Sequence, residues 1–436
     1  MINRLNKLSP ESKRIFKSSS ALAKSLGVKV YLVGGVVRDL ILKRKILDLD
    51  IVIEGDAITF ARKLANILKA DFSGHNSFGT ATINFKGEKI DFATARTEEY
   101  SRPGVLPKVS PAFLDKDLLR RDFTINAMAI SLNKKDYGKL IDLYDGLGDL
   151  GKGLIRILHP RSFCDDPTRV LRAIRFEQKF SFKIESDTLK LIKEALSQNC
   201  LELVGPHRLR EEIIIILKEN NPSKYIKRIK GLIGFSSIDK AIKLDKSSFQ
   251  LFERINQSSL YYRKGFKKHP KLKVWLLYLT AILIKLSPLQ LAKFFHNFGF
   301  RKQERDLVCS ASEGINKIKR LKKDAKASDI YQVLKPYSFE TLIFFYAYYQ
   351  TKSIRGNIEY FLKRLVNLEL KIKGRDLKAL GLKPEKLFGE VLRKTFYSKL
   401  DKGLVNKDQE VEEAKRIFRR QEIASLLAEA KRVEKR

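Results

Sequence analysis

The strand-like runs of this 436-residue chain all fall before about residue 150, and from Leu154 onward the apolar residues recur only at helical spacing. That one-way switch confines any sheet to the first third and obliges the remainder to pack helix on helix, an α+β arrangement. In the first part, ESKRIFKSSSALAKSL (11–26) reads as a helix stopped by Gly27, VKVYLVGG as a strand ending in a glycine turn, and VVRDLILKR as a helix. DLDIVIEG is a second strand and ITFARKLANILKA an amphipathic helix. ATINF and KIDFATA are two strands joined by the hairpin signal Lys86-Gly87-Glu88. A small mixed sheet is expected. DPTRVLRAIRFEQKF, SDTLKLIKEALSQ and HRLREEIIIILKE then carry helical periodicity, as does the charged end of the chain.

Hydrophobic residues make up 44% of the chain, enough to build real cores. A formal net charge of +37 is extreme even by the standard of a soluble enzyme. A lysine-rich surface of the thermophilic type accounts for part of it. A polyanionic partner accounts for the excess better, because each neutralised phosphate releases counterions. Residues 1–200 hold 35 Lys and Arg against 24 Asp and Glu, whereas residues 201–436 hold 52 against 26. The surplus therefore lies late, as in a catalytic head followed by an RNA-gripping body. Cys164, Cys200 and Cys309 fit neither a disulfide framework nor a zinc site. The opening MINRLNKLSPESKR lacks an apolar signal segment and no apolar run is long enough to span a bilayer, so a cytoplasmic protein without membrane contact is expected.

The sharpest local feature is Asp48-Leu49-Asp50 at the start of a strand. Residues i and i+2 of an extended chain project from one face, so both carboxylates enter one cavity. Two like charges that close call for a cation, and magnesium is the natural one. Solvated acids at a strand edge are the bland alternative. Just upstream, Gly34-Gly35 form a strand-to-helix turn where backbone N–H groups can approach a triphosphate, with Arg38 able to add a charge-assisted contact. Asp91, on a neighbouring strand, could supply a third metal ligand, and a two-metal site would activate an attacking hydroxyl and stabilise leaving pyrophosphate. Further on, Asp166, Arg169, Arg172 and Arg175 recur every three residues, which would set them on one ridge of a helix with Pro167 in its first turn. Arg120-Arg121-Asp122 could be a structural ion pair at a helix start or part of a site.

These pieces, YLVGGVVRDLIL and DLDIVI, then LLRRDFTINAMAI, LYDGLGDL and DDPTRVLRAIRF, resemble in order and spacing the motifs of class II CCA-adding enzymes, tRNA nucleotidyltransferases of the polymerase-β-like superfamily. The likeness covers residues 30–180 and continues more weakly to about Leu217. It implies a nucleotidyltransferase head at 1–150, a helical neck at 151–220, and a helical body and tail at 221–436 that bind the acceptor end and T-arm of tRNA. It further implies catalytic Mg2+ on Asp48 and Asp50, and a triphosphate held by Gly35 and Arg38. Arg121 would bind nucleotide, with Asp122 and Asn126 supporting the ribose or the shape of the site. Asp166 and Arg169 would read the base edge of CTP or ATP in place of a template, and Arg172 and Arg175 would hold phosphate or tRNA. The family usually opens this last motif with glutamate, and Asp165 stands there instead.

The related bacterial poly(A) polymerases carry a Gly-Arg-Arg-Phe type signature where this chain has SGHNSFGTATINF, without the arginine pair. Enzymes that add only CC have a shortened loop before the RRD motif, and Ala95–Lys116 is not plainly truncated, although its prolines would stiffen it. Full CCA addition and terminal-A addition stay level. A non-catalytic RNA-binding protein would not be expected to keep this whole set of residues. His207 reads as structural. The five histidines show no His-Asp pair, and the aromatic run Phe344, Phe345, Tyr346, Tyr348, Tyr349 reads as core with an aromatic edge or as an RNA-stacking surface.

Overall fold

The structure, a computed structural model, describes residues 2–46, 48–75, 79–267, 269–321, 323–381 and 387–433. Within the stretch that stands in place of the arginine signature, residues 76–78 lie outside the described set, as does Lys322 in the late lysine cluster. The chain divides into two compact units, one of residues 1–241 with 297–299 and the other of residues 242–296 with 300–436.

The first unit is built on a seven-stranded sheet. Its strands are β1 (Lys29–Val33), β2 (Leu49–Glu54), β3 (Asp71–His75), β4 (Thr80–Phe85), β5 (Glu88–Thr94), β8 (Met128–Ser131) and β9 (Leu140–Asp142), in the order β3-β4-β5-β2-β1-β8-β9. Only β2 and β5 run parallel among the paired strands of this sheet, so it is mixed, as expected. Helices α1 (Ile2–Leu5), α2 (Pro10–Leu26), α3 (Gly35–Ile41) and α4 (Ala57–Leu68) are interleaved with the first strands. Helix α2 is capped by the Ser9 side chain and ends at Gly27 in the left-handed region (φ 66°), the stop expected from sequence. Asp56 caps α4, whose Phe60, Leu64 and Leu68 are buried against β4 and β5. Truncating Phe60 to alanine there would cost about 3–5 kcal/mol. The other face of the sheet presents Tyr31, Val33, Val52 and Ala129 to Leu114 and Leu118 of α5 (Leu114–Leu119).

Between β5 and α5 the chain makes a separate hairpin of β6 (Arg96–Glu99) and β7 (Lys108–Pro111), which hydrophobic alternation had not revealed. Next come α6 (Gly146–Lys152), α7 (Ser162–Asp165), α8 (Arg169–Phe180), α9 (Ser186–Ser197), α10 (Pro206–Lys218) and α11 (Pro222–Leu232). The helical half is not free of strand: β10 (Leu154–Ile155) and β11 (Lys183–Ile184) pair in parallel, but two residues each are too few to leave a period in the sequence.

In the second unit the helix Val274–Leu283 has every residue from Leu276 to Leu283 buried, as an element apolar on all sides must. Its neighbour Phe339–Tyr348 buries Phe344 and Phe345 completely, while Tyr346 at its edge donates to Glu359 and stacks on Tyr261, so the aromatic run is core with an aromatic edge. Near the chain end Ile372, Leu377, Phe388, Val391, Ala414 and Phe418 form a smaller core. Beside it the buried Lys399 donates to Glu410 at 2.6 Å, and the other Glu410 oxygen caps the Lys371 and Ile372 N–H groups. No helix among the described residues is long and apolar enough to cross a membrane.

Candidate active site

Alternation along β2 sends Asp50 to the same face as Val52, toward α5. Burial raises the pKa of Asp50, the Arg121 charge pulls it back, and the nearby Asp91 and Asp48 push it further up. A carboxylate that is this costly to charge suits a cation. Asp48 is exposed, just before the strand. Asp91 lies across from Asp50 in the β2–β5 register, but its oxygens accept from Thr82 Oγ1 at 2.6 Å and Lys89 Nζ at 2.7 Å. No group of three His, Cys, Asp or Glu side chains among the described residues is arranged to hold a metal. Asp91 is therefore not gathered as a third ligand. Asp48 and Asp50 with substrate oxygens remain a fitting donor set for Mg2+, which takes few protein carboxylates.

The glycine turn lies at the mouth of the same region. Gly34 caps α3 with φ 76°, and a Cβ added there would come within 2.7 Å of Arg121 Nη1. Only glycine lets that guanidinium lie against the turn. Arg120 and Arg121 do form the ion pair considered from sequence, but on Asp117 rather than Asp122. Asp117 is fully buried and accepts from Arg120 Nη2 at 2.6 Å and from Arg121 Nη2 at 2.8 Å. Burial would raise the Asp117 pKa, yet the two guanidiniums lower it.

Asp122 turns instead toward α8. Its Oδ2 accepts from Arg172 Nη2 at 2.6 Å and its Oδ1 from Asn126 Nδ2 at 2.9 Å, while Asn126 Oδ1 accepts from Arg38 Nη1 at 2.5 Å. Arg38 also grips Asp39 through two nitrogens and lies 4.7 Å from the Phe180 ring. One chain of bonds thus runs from α8 to α3. Burial alone would raise the Asp122 pKa, but the Arg172 charge and the Asn126 and Arg172 bonds hold it at about 2.

Helix α8 begins at Arg169, not before Pro167, so the expected ridge is broken. Asp166 is extended (φ −134°, ψ 90°), and its Oδ1 accepts from the Thr168 N–H and hydroxyl, a local turn that competes with the helix. Its Oδ2 takes Arg208 Nη2 of α10 at 2.8 Å. Arg169 is buried and donates to Ser162 Oγ at 2.6 Å and to the Arg120 carbonyl at 2.7 Å. Arg172 also meets Glu212 at 3.3 Å, and Arg175 lies 3.8 Å from both Glu212 and Glu219. These last two arginines, expected to hold phosphate or tRNA, are thus compensated by protein carboxylates, although both line the cavity.

That cavity, about 430 Å³, is lined by every expected site residue except Asp48 and Asp91. Glu98, Tyr100, Arg120, Phe176 and Lys179 also line it. Its arginines outnumber its carboxylates, which suits a polyanion. Sequence reasoning missed Asp117, Glu98, Tyr100, Glu212 and Arg208, whose roles come only from tertiary contacts. It also missed two approaches. His159 Nδ1 comes to 4.0 Å from Asp165 Oδ2, with burial and Arg169 pushing the His159 pKa down, and the Cys164 and Cys200 sulfurs, both free thiols, lie 4.0 Å apart. His207 stands exposed in the first turn of α10.

A family model described as the poly A polymerase head domain matches residues 30–156. An A-adding tRNA nucleotidyltransferase of Geobacter sulfurreducens is 34% identical over 90% of the chain, and the chain spans 45% of that protein, so less than half its length. Another A-adding tRNA nucleotidyltransferase, of Halalkalibacterium halodurans, is 31% identical over 413 residues, covering 93% of this chain and 92% of its own. The Thermotoga maritima CCA-adding enzyme, solved as a complex with tRNA, superposes with a TM-score of 0.74 at 34% identity over 98% of each chain. With a sheet-bearing head, a helical remainder and full-length likeness of this degree, the chain belongs to the class II CCA-adding family of tRNA nucleotidyltransferases.

Proposed function

We propose that this chain adds nucleotides, without a template, from ATP and/or CTP to the 3′ end of tRNA, with release of pyrophosphate. The observation that carries the reading is the single cavity of about 430 Å³ that brings the half-buried Asp50, the Gly34–Gly35 turn and Arg121 together with Asp166 and Arg169. Asp48 and Asp50 would hold Mg2+, which when bound would neutralise phosphate charge and make the primer hydroxyl a better nucleophile. Gly35, Arg38 and Arg121 hold and orient the triphosphate, while Asp122 and Asn126 fix Arg38 and the floor beneath the ribose.

Asp166 and Arg169 then choose the base. Cytosine and adenine each present an amine donor beside a ring-nitrogen acceptor. A carboxylate that accepts and a guanidinium that donates match that pattern and mismatch the carbonyl and N–H of uracil and guanine. The head at 1–150 and neck at 151–220 carry this chemistry, and the basic body and tail at 221–436 grip the acceptor end and T-arm of tRNA in the cytoplasm. The surplus of 52 basic over 26 acidic residues after position 200 supports that division.

Terminal-A addition and full CCA addition are the two forms the loop before the RRD motif favours over CC addition, and the names of the two A-adding relatives favour the first. Full-length chain incubated with tRNAs ending before CCA, after C and after CC separates them. With ATP and CTP present, extension of only the third tRNA, by one adenosine, is expected. Growth of the first by three nucleotides would replace A-addition with full CCA addition. No extension of any of the three would sink the whole reading.

A further inference from the structure

We propose that Arg208 is a positioning residue for base selection, tying the carboxylate of Asp166 to the hairpin formed by β6 and β7. The inference rests on the reading of Asp166 as a base-facing group. Arg208 lies in the first turn of α10 and divides its guanidinium: Nη2 meets Asp166 Oδ2 at 2.8 Å and Nη1 meets the Gly104 carbonyl at 3.3 Å. Gly104 belongs to the loop between β6 and β7, and that loop is seated on the segment entering α10 by backbone against backbone. Its φ is +76°, and a Cβ added there would stand 2.8 Å from the Leu203 carbonyl oxygen and 2.9 Å from its carbon. No side chain fits in that gap.

The root of the same hairpin is tied to the other base-facing residue. Glu98 on β6 accepts from Arg120 Nη1 at 2.9 Å and from Tyr100, and the Arg120 carbonyl accepts Arg169 Nη2 at 2.7 Å. The hairpin therefore holds Arg169 through Arg120 and Asp166 through Arg208. An arginine suits this task because its rigid fork can meet a carboxylate and a carbonyl at once, whereas the point charge of a lysine can hold the carboxylate alone. Without Arg208, Asp166 keeps the two Thr168 bonds on Oδ1 and loses the partner that fixes Oδ2. The oxygen that would face a base amine is then free to turn away, and rejection of bases lacking that amine weakens.

The test is steady-state incorporation of each of the four nucleoside triphosphates on a tRNA primer, comparing full-length wild type with Arg208→Gln, Arg208→Lys, Gly104→Ala and Asp166→Ala. Arg208→Gln should lower discrimination of the cognate triphosphate against UTP and GTP by about tenfold, mainly through KM, a coupling of ordinary size between linked groups. Arg208→Lys should recover part of that discrimination. Gly104→Ala should relax it in the same direction, and its effect should largely vanish in an Arg208→Gln background. A folded Arg208→Gln protein with wild-type discrimination overturns the proposal, as do Gly104→Ala and Arg208→Gln effects that simply multiply. If Arg208→Gln does not fold, an Arg208→Lys protein with no change in discrimination and a Gly104→Ala protein with none overturn it equally. Asp166→Ala separates the two ideas: unchanged discrimination there removes the base-reading assignment itself, whereas relaxed discrimination there with none in the Arg208 variants removes only the role of Arg208.

Discussion

The two ends of the cavity are made in different ways. At the Asp50 end the parts are close to the sheet and its first turn: a carboxylate fixed by strand alternation, a glycine turn fixed by backbone, and Arg121 held by the fully buried Asp117 of α5. At the Asp166 end the parts are side chains held by other side chains and carbonyls from distant segments, namely Thr168, Arg208, Ser162 and the Arg120 backbone. Chemistry on a phosphate is served by charges set in a rigid frame. Choice of a base, under the proposed function, would be served by a pair of groups whose aim is set by their neighbours.

Substitutions should separate the two ends by what each one changes. Asp50→Ala should have the largest effect, lowering single-turnover incorporation by about 10³-fold or more while tRNA retention in a filter-binding assay persists. Residual incorporation near wild type would place the chemistry elsewhere and dissolve the distinction. Asp122→Asn strikes the bond chain that joins the ends. It leaves Arg172 without its main partner in a largely buried site, and urea unfolding should show a loss of about 3 kcal/mol near pH 7. The Asp122 pKa is held at about 2 in the folded protein, below its unfolded value of about 3.9. Its contribution is therefore complete above about pH 5 and lost as pH falls toward about 2, so the gap between wild type and Asp122→Asn should close over that range. A gap independent of pH would show that the charge of Asp122 does not hold the ends together. Asp166→Ala and Arg169→Ala should have smaller and more selective effects, each relaxing base discrimination by about 1–3 kcal/mol with the rate at saturating ATP reduced less. Equal losses for all four triphosphates would make both ends parts of one catalytic device.

The difference between the ends also explains what could be read in advance. Gly34, Gly35, Asp48 and Asp50 are placed by local backbone geometry, and a turn followed by a strand is visible in consecutive letters. The mixed sheet and the stop at Gly27 follow for the same reason. Asp166, Arg169, Arg172 and Arg175 were legible as a set but not as a ridge, because a helix period cannot register that the Asp166 side chain caps Thr168 and breaks the helix. Nor does it show that Arg172 and Arg175 face Glu212, some forty positions away. Asp91 looked like a third ligand on its strand, and only the side-chain contacts of Thr82 across the sheet and of Lys89 two residues back on the same strand show that its oxygens are occupied. Arg208 and Gly104 stand about a hundred residues apart, and no spacing rule joins them. In the second unit, the pattern left Phe344 and Phe345 open between core and an RNA-stacking surface, and only the packing buries them, since an aromatic letter carries no sign of what it touches.

Asp117 has a consequence for turnover. One buried carboxylate already shares Arg120 and Arg121 between its two oxygens, so under the proposed function a triphosphate arriving at the cavity would meet guanidiniums that are oriented but not bare. The incoming phosphates would add to or exchange with an existing partner, and the attraction gained would be a difference between two contacts rather than the whole of one. The same would hold for pyrophosphate on its way out: as it left, Asp117 would be in place to receive the arginines again. A catalyst that must empty its cavity after every addition is better served by such moderated cations than by stronger ones, because product held too tightly would set the pace of the cycle.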